Sequence, residues 1–373
     1  MYIWSSPDFG SYEVWLTGSV MLVSGTLMNS AGLGGGPMFV ASLIIVMQLS
    51  IHNSIPISKF IIFLSAIVTF YLNTVKSHRT DLIDFTLVRA IMPLSLAGTI
   101  VGVLINTLAS ETLLFVLLCC LMGLLVLVSI RLAYRKIKEF RGSHTEPTIP
   151  GDIVGHVELV DSLDSASSTN NDNMNSSKIP DHEVRNNVWN VRNGVLWALL
   201  PFVIGCGIIS QTQSIPDGVR WTFFTLSILA CVSCAGVLHK LDSSHRQPII
   251  YNFVGLVGGL LSGLLGIGGG LLYAPLMLHK GVDAEIAVAV SSTCVLFISA
   301  STSMQYLFTG RVAVLYGLFL SLFGVASAIV ATIGSRWVVR VTKRPYVIHV
   351  VVASAVTIAA IATVAYTILV FSK

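Results

Sequence analysis

Two short glycine runs are the residues best placed to do chemistry in this 373-residue chain: Gly32-Leu33-Gly34-Gly35-Gly36 and Gly266-Ile267-Gly268-Gly269-Gly270, which start 234 positions apart. Each interrupts an apolar stretch, and the pattern predicts a short helix starting at about Pro37 and at about Leu271. The first amides of a helix lack intrahelical partners and together carry a partial positive charge of about +0.5. Glycine lets a ligand approach that backbone closely, and proline suits a first turn because its missing N–H had no partner there. An anion is the natural ligand of such an element. The other reading is that the glycines allow tight helix packing, as small residues do in membranes. A nucleotide loop is excluded, since neither run supplies Lys-Ser/Thr, and Pro37 and Leu271 stand where a third dinucleotide glycine would fall.

Hydroxyls follow both runs, and a cation follows the first. Ser58 and Lys59 open the apolar segment after the first run, and Ser291, Ser292 and Thr293 hold the equivalent place after the second. Hydroxyls donate to an oxyanion without burying a fixed charge, although they also bond back to their own helix. The candidate substrate-binding set is therefore Gly34, Gly35, Gly36, Ser58, Lys59, Gly268, Gly269, Gly270, Ser291, Ser292 and Thr293. Lys59 is expected to snorkel to the outer interface, with attraction of anions as its other role. Asn29, Ser30, Asn73, Gln211 and Gln305 are weaker candidates. Asp81, Asp84, Glu111, Asp217, Asp283 and Glu285 fall in loops or at helix ends, and His52 and His349 stand alone, so no proton relay is legible. The sequence shows no paired carboxylates, hydrolase elbow or histidine cluster, which leaves catalysis without a centre; no cofactor and no metal are expected. The six cysteines lie in apolar segments, and Cys231-x-x-Cys234 lacks the soluble setting that gives its spacing a redox meaning.

The elements that must hold these residues are membrane helices. With 54% hydrophobic and 11% charged residues, the chain departs from soluble domains, in which about a quarter of residues are charged. Spans of roughly 20 apolar residues are expected at 57–75, 85–107, 112–133, 192–210, 221–238, 287–308, 313–334 and 347–371. Shorter pieces flank the glycines, at 12–29 with 37–50 and 249–264 with 271–279. A β-barrel would alternate apolar and polar residues, whereas Leu113-Leu114-Phe115-Val116-Leu117-Leu118 is continuously apolar. Residues 1–15 hold Asp8 and Glu13 but no Lys or Arg, so a cleaved leader is not expected.

Basic residues fix an orientation, because Lys and Arg concentrate in cytoplasmic loops. With the tract after Arg131 inside, 17 of the 22 Lys and Arg residues fall inside, and both termini fall outside. The net charge of +4 then reflects loop asymmetry, with no nucleic-acid surface. Residues 141–187 have no Phe, Trp or Tyr and hold 8 acidic against 3 basic side chains, a composition too polar to bury a core. The expected organisation is a first transmembrane repeat at 1–134, a polar, disordered cytoplasmic loop at 135–191, two connecting helices at 192–238 and a second repeat at 239–373.

Sliding residues 20–66 by 234 positions matches 13 of 47, among them four loop glycines and Ser58 with Ser292. An odd number of passes separates equivalent elements in the expected topology, so the repeats are inverted, an arrangement suited to alternating access. The expected fold is an all-α integral membrane protein, a polytopic bundle of two inverted repeats, each with a Gly-broken hairpin.

Gly-Leu-Gly-Gly-Gly after a first helix has a counterpart in Gly-Ile-Gly-Gly-Gly-Leu-Leu-Tyr-Ala-Pro-Leu-Met. With Ala287-Val288-Ala289-Val290-Ser291-Ser292 and Tyr306-Leu307-Phe308-Thr309-Gly310-Arg311-Val312, these motifs resemble the TauE/SafE sulfite exporter family of membrane permeases. The resemblance is closest over 249–335. It implies a multi-pass carrier for sulfur-containing anions such as sulfite or organosulfonates. Pro37-Met38 after the first run, the segment 52–59 and the expanded middle depart from that pattern. The expected function is a secondary transporter of a small anion, with the lipid bilayer as its medium and a coupling ion as a possible partner. A multi-pass sensor signalling through the polar loop and an anion channel are the alternatives, and the sequence leaves the oligomeric state open.

Overall fold

A computed structural model describes residues 11–75, 82–142, 191–212, 215–241 and 248–342, with positions 354, 357, 358, 360 and 361. The described residues form helices joined by short turns, with no strand among them. The first four are α1 (Tyr12–Ser30), α2 (Gly36–Ile45), α3 (Ile51–Val75) and α4 (Phe85–Leu108). Three more follow: α5 (Glu111–Gly142), α6 (Val191–Gln211) and α7 (Asp217–Leu241). The last four are α8 (Pro248–Leu265), α9 (Gly270–His279), α10 (Ala284–Phe308) and α11 (Val314–Thr342). Six of these, α3, α4, α6, α7, α10 and α11, are long and apolar enough to cross a membrane. The protein is thus a polytopic all-α membrane protein, as its sequence implies. Helix α5 continues to Gly142, past Arg135 where the polar loop was expected to start. Residues 143–190, the basic Lys76 and Arg79, and most of the span expected at 347–371 lie outside the described residues.

The glycine runs end helices where expected. Helix α1 stops at Ser30 and α2 starts at Gly36 with Pro37 in its first turn; α8 stops at Leu265 and α9 starts at Gly270. Gly32, Gly34, Gly35 and Gly266 adopt positive φ between 72 and 76°, a backbone that other L-residues reach only against steric cost. Helices α2 and α9 have 10 residues each, about 15 Å, half of a bilayer core. Their N-terminal ends and the glycine runs are largely buried.

The packing carries a two-fold pattern. Helix α1 packs on α11 and α4 on α8; α3 packs on α10 and α11, and α10 on α3 and α4. Helix α2 lies on α1 and α3, and α9 on α8 and α10. Exchanging α1, α2, α3 and α4 for α8, α9, α10 and α11 returns the same set of contacts. The two counterpart interfaces nevertheless differ in chemistry. Between α4 and α8 the backbones meet directly: a Cβ on Gly263 would stand 2.6 Å from the Thr99 carbonyl oxygen, and Cβ atoms on Gly98, Gly102, Gly255 and Gly259 would likewise enter the partner backbone. Between α1 and α11, rings fill the space, with Trp15 edge-on to Phe319 and Phe323 at centroid distances of 5.3 and 6.1 Å.

Candidate functional site

The two glycine runs, distant in sequence, lie against each other at the centre of the bundle. A Cβ on Gly36 would stand 2.6 Å from Gly268 N and 3.0 Å from Gly266 O, and one on Gly268 would stand 2.6 Å from Leu33 O. Only glycine permits this approach, because a methyl group at any of these positions would need to occupy backbone atoms of the other run.

Breaking a helix leaves carbonyls and amides without intrahelical partners. Side chains satisfy four of the carbonyls at the breaks. The Tyr306 hydroxyl donates to Gly263 O at 2.8 Å, Asn106 Nδ2 to Leu264 O at 2.7 Å and Lys59 Nζ to Ile267 O at 3.0 Å. Ser291 Oγ donates to Gly32 O at 2.8 Å, and so ties α10 to the first run. The amides fare differently: those of Gly34, Gly35, Gly36 and Met38, and those of Ile267, Gly268, Gly269 and Gly270, donate no hydrogen bond to any described residue. In the second copy, Leu271 N and Leu272 N turn back onto Gly268 O and Gly269 O at 3.2 and 3.0 Å. Buried N–H groups are paired in the great majority of cases. The junction of the two runs is therefore rich in unpaired backbone donors, the groups that an anion needs.

Lys59 is fully buried, which corrects the expectation that it reaches the outer interface. Its Nζ donates to Ser262 Oγ of α8 as well as to Ile267 O, so the side chain points inward and bridges the halves. Lys59, Ile62, Ala66, Thr69 and Asn73 recur at spacings of three and four, which puts them on one face of α3. That face leads from the second glycine run along a small cavity lined by Asn29, Gly32, Gly34, Ile62, Ala66, Thr69, Ser292 and Val295. The cavity has room for roughly one water molecule. At its far end Asn73 Nδ2 donates to Ser292 Oγ at 3.2 Å.

A family model described as sulfite exporter TauE/SafE matches residues 19–157 and 175–363, most of the chain and both glycine runs. The chain belongs to the TauE/SafE family. It is 25% identical to sulfite exporter TauE/SafE family protein 3 of Arabidopsis thaliana over 96% of this chain and 82% of that protein. Family protein 1 of the same plant is 26% identical over 76% of this chain and 68% of its own length. No solved structure matches the chain. Membership makes the protein a membrane transporter and not an enzyme, and it agrees with the resemblance carried by the glycine motifs.

In this TauE/SafE chain the sequence-chosen residues divide into two groups. Gly34, Gly35, Gly36, Gly268, Gly269, Gly270, Lys59, Ser291 and Ser292 meet at the paired runs or the adjoining cavity. Ser58 and Thr293 are buried and bond back to Ile55 O and Ala289 O of their own helices. Of the weaker candidates, Asn29 and Asn73 line or close the cavity, whereas Gln211 Nε2 donates to Gln305 Oε1 at 2.7 Å, between α6 and α10. Sequence reasoning missed Thr69, Ser262, Asn106 and Tyr306. Thr69 could have been found by following the face of α3 from Lys59 at helical spacing, but no sequence signal pairs Ser262 or Asn106 with a helix break.

Proposed function

We propose that this TauE/SafE transporter is a secondary carrier of a small sulfur-containing oxyanion or organosulfonate, such as sulfite, moved by alternating access. The observation that carries the reading is the junction of the two glycine runs: unpaired amides from both runs and the buried amine of Lys59 bonded to Ile267 O. Gly34, Gly35, Gly36, Gly268, Gly269, Gly270, Lys59, Ser291 and Ser292 form the binding region in this reading, and Ser58 and Thr293 bond back to the helices that hold it. The relatives' names contain "sulfite exporter", which supports the choice of sulfur oxyanions. A space of one water cannot admit such an anion, so loading requires the cavity to widen as the two repeats rock against each other. The exchange pattern of helix contacts supports inverted repeats in the two halves, joined by the polar segment 143–190 and two connecting helices.

Counterflow in proteoliposomes tests the reading directly. Preloaded sulfite should accelerate entry of labelled sulfite, with saturation, over liposomes lacking protein. An absence of flux for sulfite, sulfate, thiosulfate and taurine-like anions would sink it. The orientation proposed, termini outside and loop 135–191 in the cytoplasm, is checked by a reporter fused after Lys373, for which a cytoplasmic signal is the contrary result.

A further inference from the structure

Lys59 stands nine residues into α3, about 12 Å from the helix start, and is fully buried. Its two partners, Ser262 Oγ and Ile267 O, are both neutral acceptors, and no ion pair to it occurs among the described residues. Helix α2 contributes no titratable side chain near it. Glu111 of α5, Tyr251 of α8, Tyr273 and His279 of α9, Glu285, Cys294 and Tyr306 of α10 and Tyr316 of α11 complete the titratable groups described on the packed elements whose side chains could approach. None of them bonds to Nζ; Glu111 and Glu285 lie in first turns at the ends of their helices. Removing an ammonium from water without a countercharge is strongly unfavourable, whereas a neutral amine can still donate to both acceptors. The cation is therefore at home only when an anion occupies the adjoining amides.

The charge balance then runs through the whole transport cycle. Loaded, the amine holds a proton and pairs with the anion, leaving a site that is neutral for a monoanion. Empty, it gives the proton back to water, and the site crosses uncharged. We propose that Lys59 is a proton carrier, so that each sulfur oxyanion moves together with one proton. The only bond made and broken is an N–H bond on Nζ, and the proton comes from and returns to the aqueous compartments. The inference rests on the anion-carrier reading above and adds its driving force.

The test uses proteoliposomes with the membrane potential clamped to zero, a pH dye in the lumen, and sulfate, thiosulfate or methanesulfonate, whichever moves fastest in counterflow. These anions stay ionised over the working pH range, so any proton that moves is carried by the protein. With a one-unit acid-outside step, wild-type protein is expected to acidify the lumen and accumulate the chosen anion towards about tenfold. K59R keeps a permanent charge; whatever part of the counterflow survives in it is expected to show no response to the pH step, while K59M loses both counterflow and pH-driven accumulation. Uptake that ignores the pH step and follows an imposed potential overturns proton coupling and leaves the carrier intact. Proton coupling that persists in K59R overturns the role of Lys59. Sulfite counterflow with no movement of the three ionised anions overturns the symport alone, whereas no flux of any anion removes the carrier reading beneath it. The wild-type measurements decide proton coupling even where a variant fails to fold.

Discussion

Ser292 shows how one side chain joins the two halves. Its hydroxyl accepts from Asn73 of α3, donates to Ala289 O of its own helix, and borders the cavity beside the first glycine run. Leucine there adds three carbons to a space that holds about one water. Ser292→Leu is expected to lower anion uptake by about tenfold or more with a stability change of about 1–3 kcal/mol, read as initial flux and as thermal unfolding in detergent. Flux at the wild-type level would remove Ser292 from the path. Gly34 argues similarly from the backbone: at φ +76° an alanine meets the left-handed penalty of about 1–2 kcal/mol, and its Cβ would stand 2.7 Å from Val295 Cγ1. Gly34→Ala is expected to lower the melting temperature and flux together, an outcome checked by scanning fluorimetry alongside counterflow. At this scale the sequence was informative about residue type and much less so about direction. Lys59 looks interfacial because it lies near the start of an apolar run, yet its orientation is set by α8, 203 positions later in the chain. Ser58, adjacent to it, points back into its own helix.

The presence and order of the described helices were legible, though several ends lie four to nine residues from those expected, since apolar length, Asp84 capping Thr86 N at 2.9 Å and the glycine breaks are local signals. What local signals omit is which helix lies beside which. Gly255, Gly259 and Gly263 repeat every four residues on α8, and Gly98 with Gly102 does so on α4; their purpose becomes visible only when the two backbones are found in contact. The packing role considered for the glycine-rich runs thus belongs to these glycines as well. A valine at Gly259 would drive its Cβ into the Ser95 carbonyl, which no rotamer change relieves. Gly259→Val is expected to cost more than the about 1–3 kcal/mol of ordinary overpacking and to abolish the monodisperse peak on size-exclusion chromatography. The same volume added between α1 and α11, by Gly18→Val against the movable ring of Phe323, is expected to be tolerated better by the same measurement.

Across the molecule, the helices of one half are completed by those of the other: α1 by α11, α4 by α8, and α3 by both α10 and α11. This interlocking implies that neither half is a folding unit. Membranes expressing residues 1–142 or 191–373 alone are expected to hold little of either fragment, whereas co-expression should restore both on a blot and recover anion flux. Accumulation of a stable lone fragment would contradict that dependence. The repeat was visible in the sequence as aligned glycines, but its interleaving was not, because a residue-by-residue match records kinship and is silent about partnership. Interleaving also bears on synthesis. When α4 leaves the ribosome, the chain that will cover Gly98 and Gly102 is more than a hundred residues from being made. The nascent first half therefore waits in the bilayer with its partner-facing glycines against lipid, and a slow or stalled second half would expose it to membrane quality control.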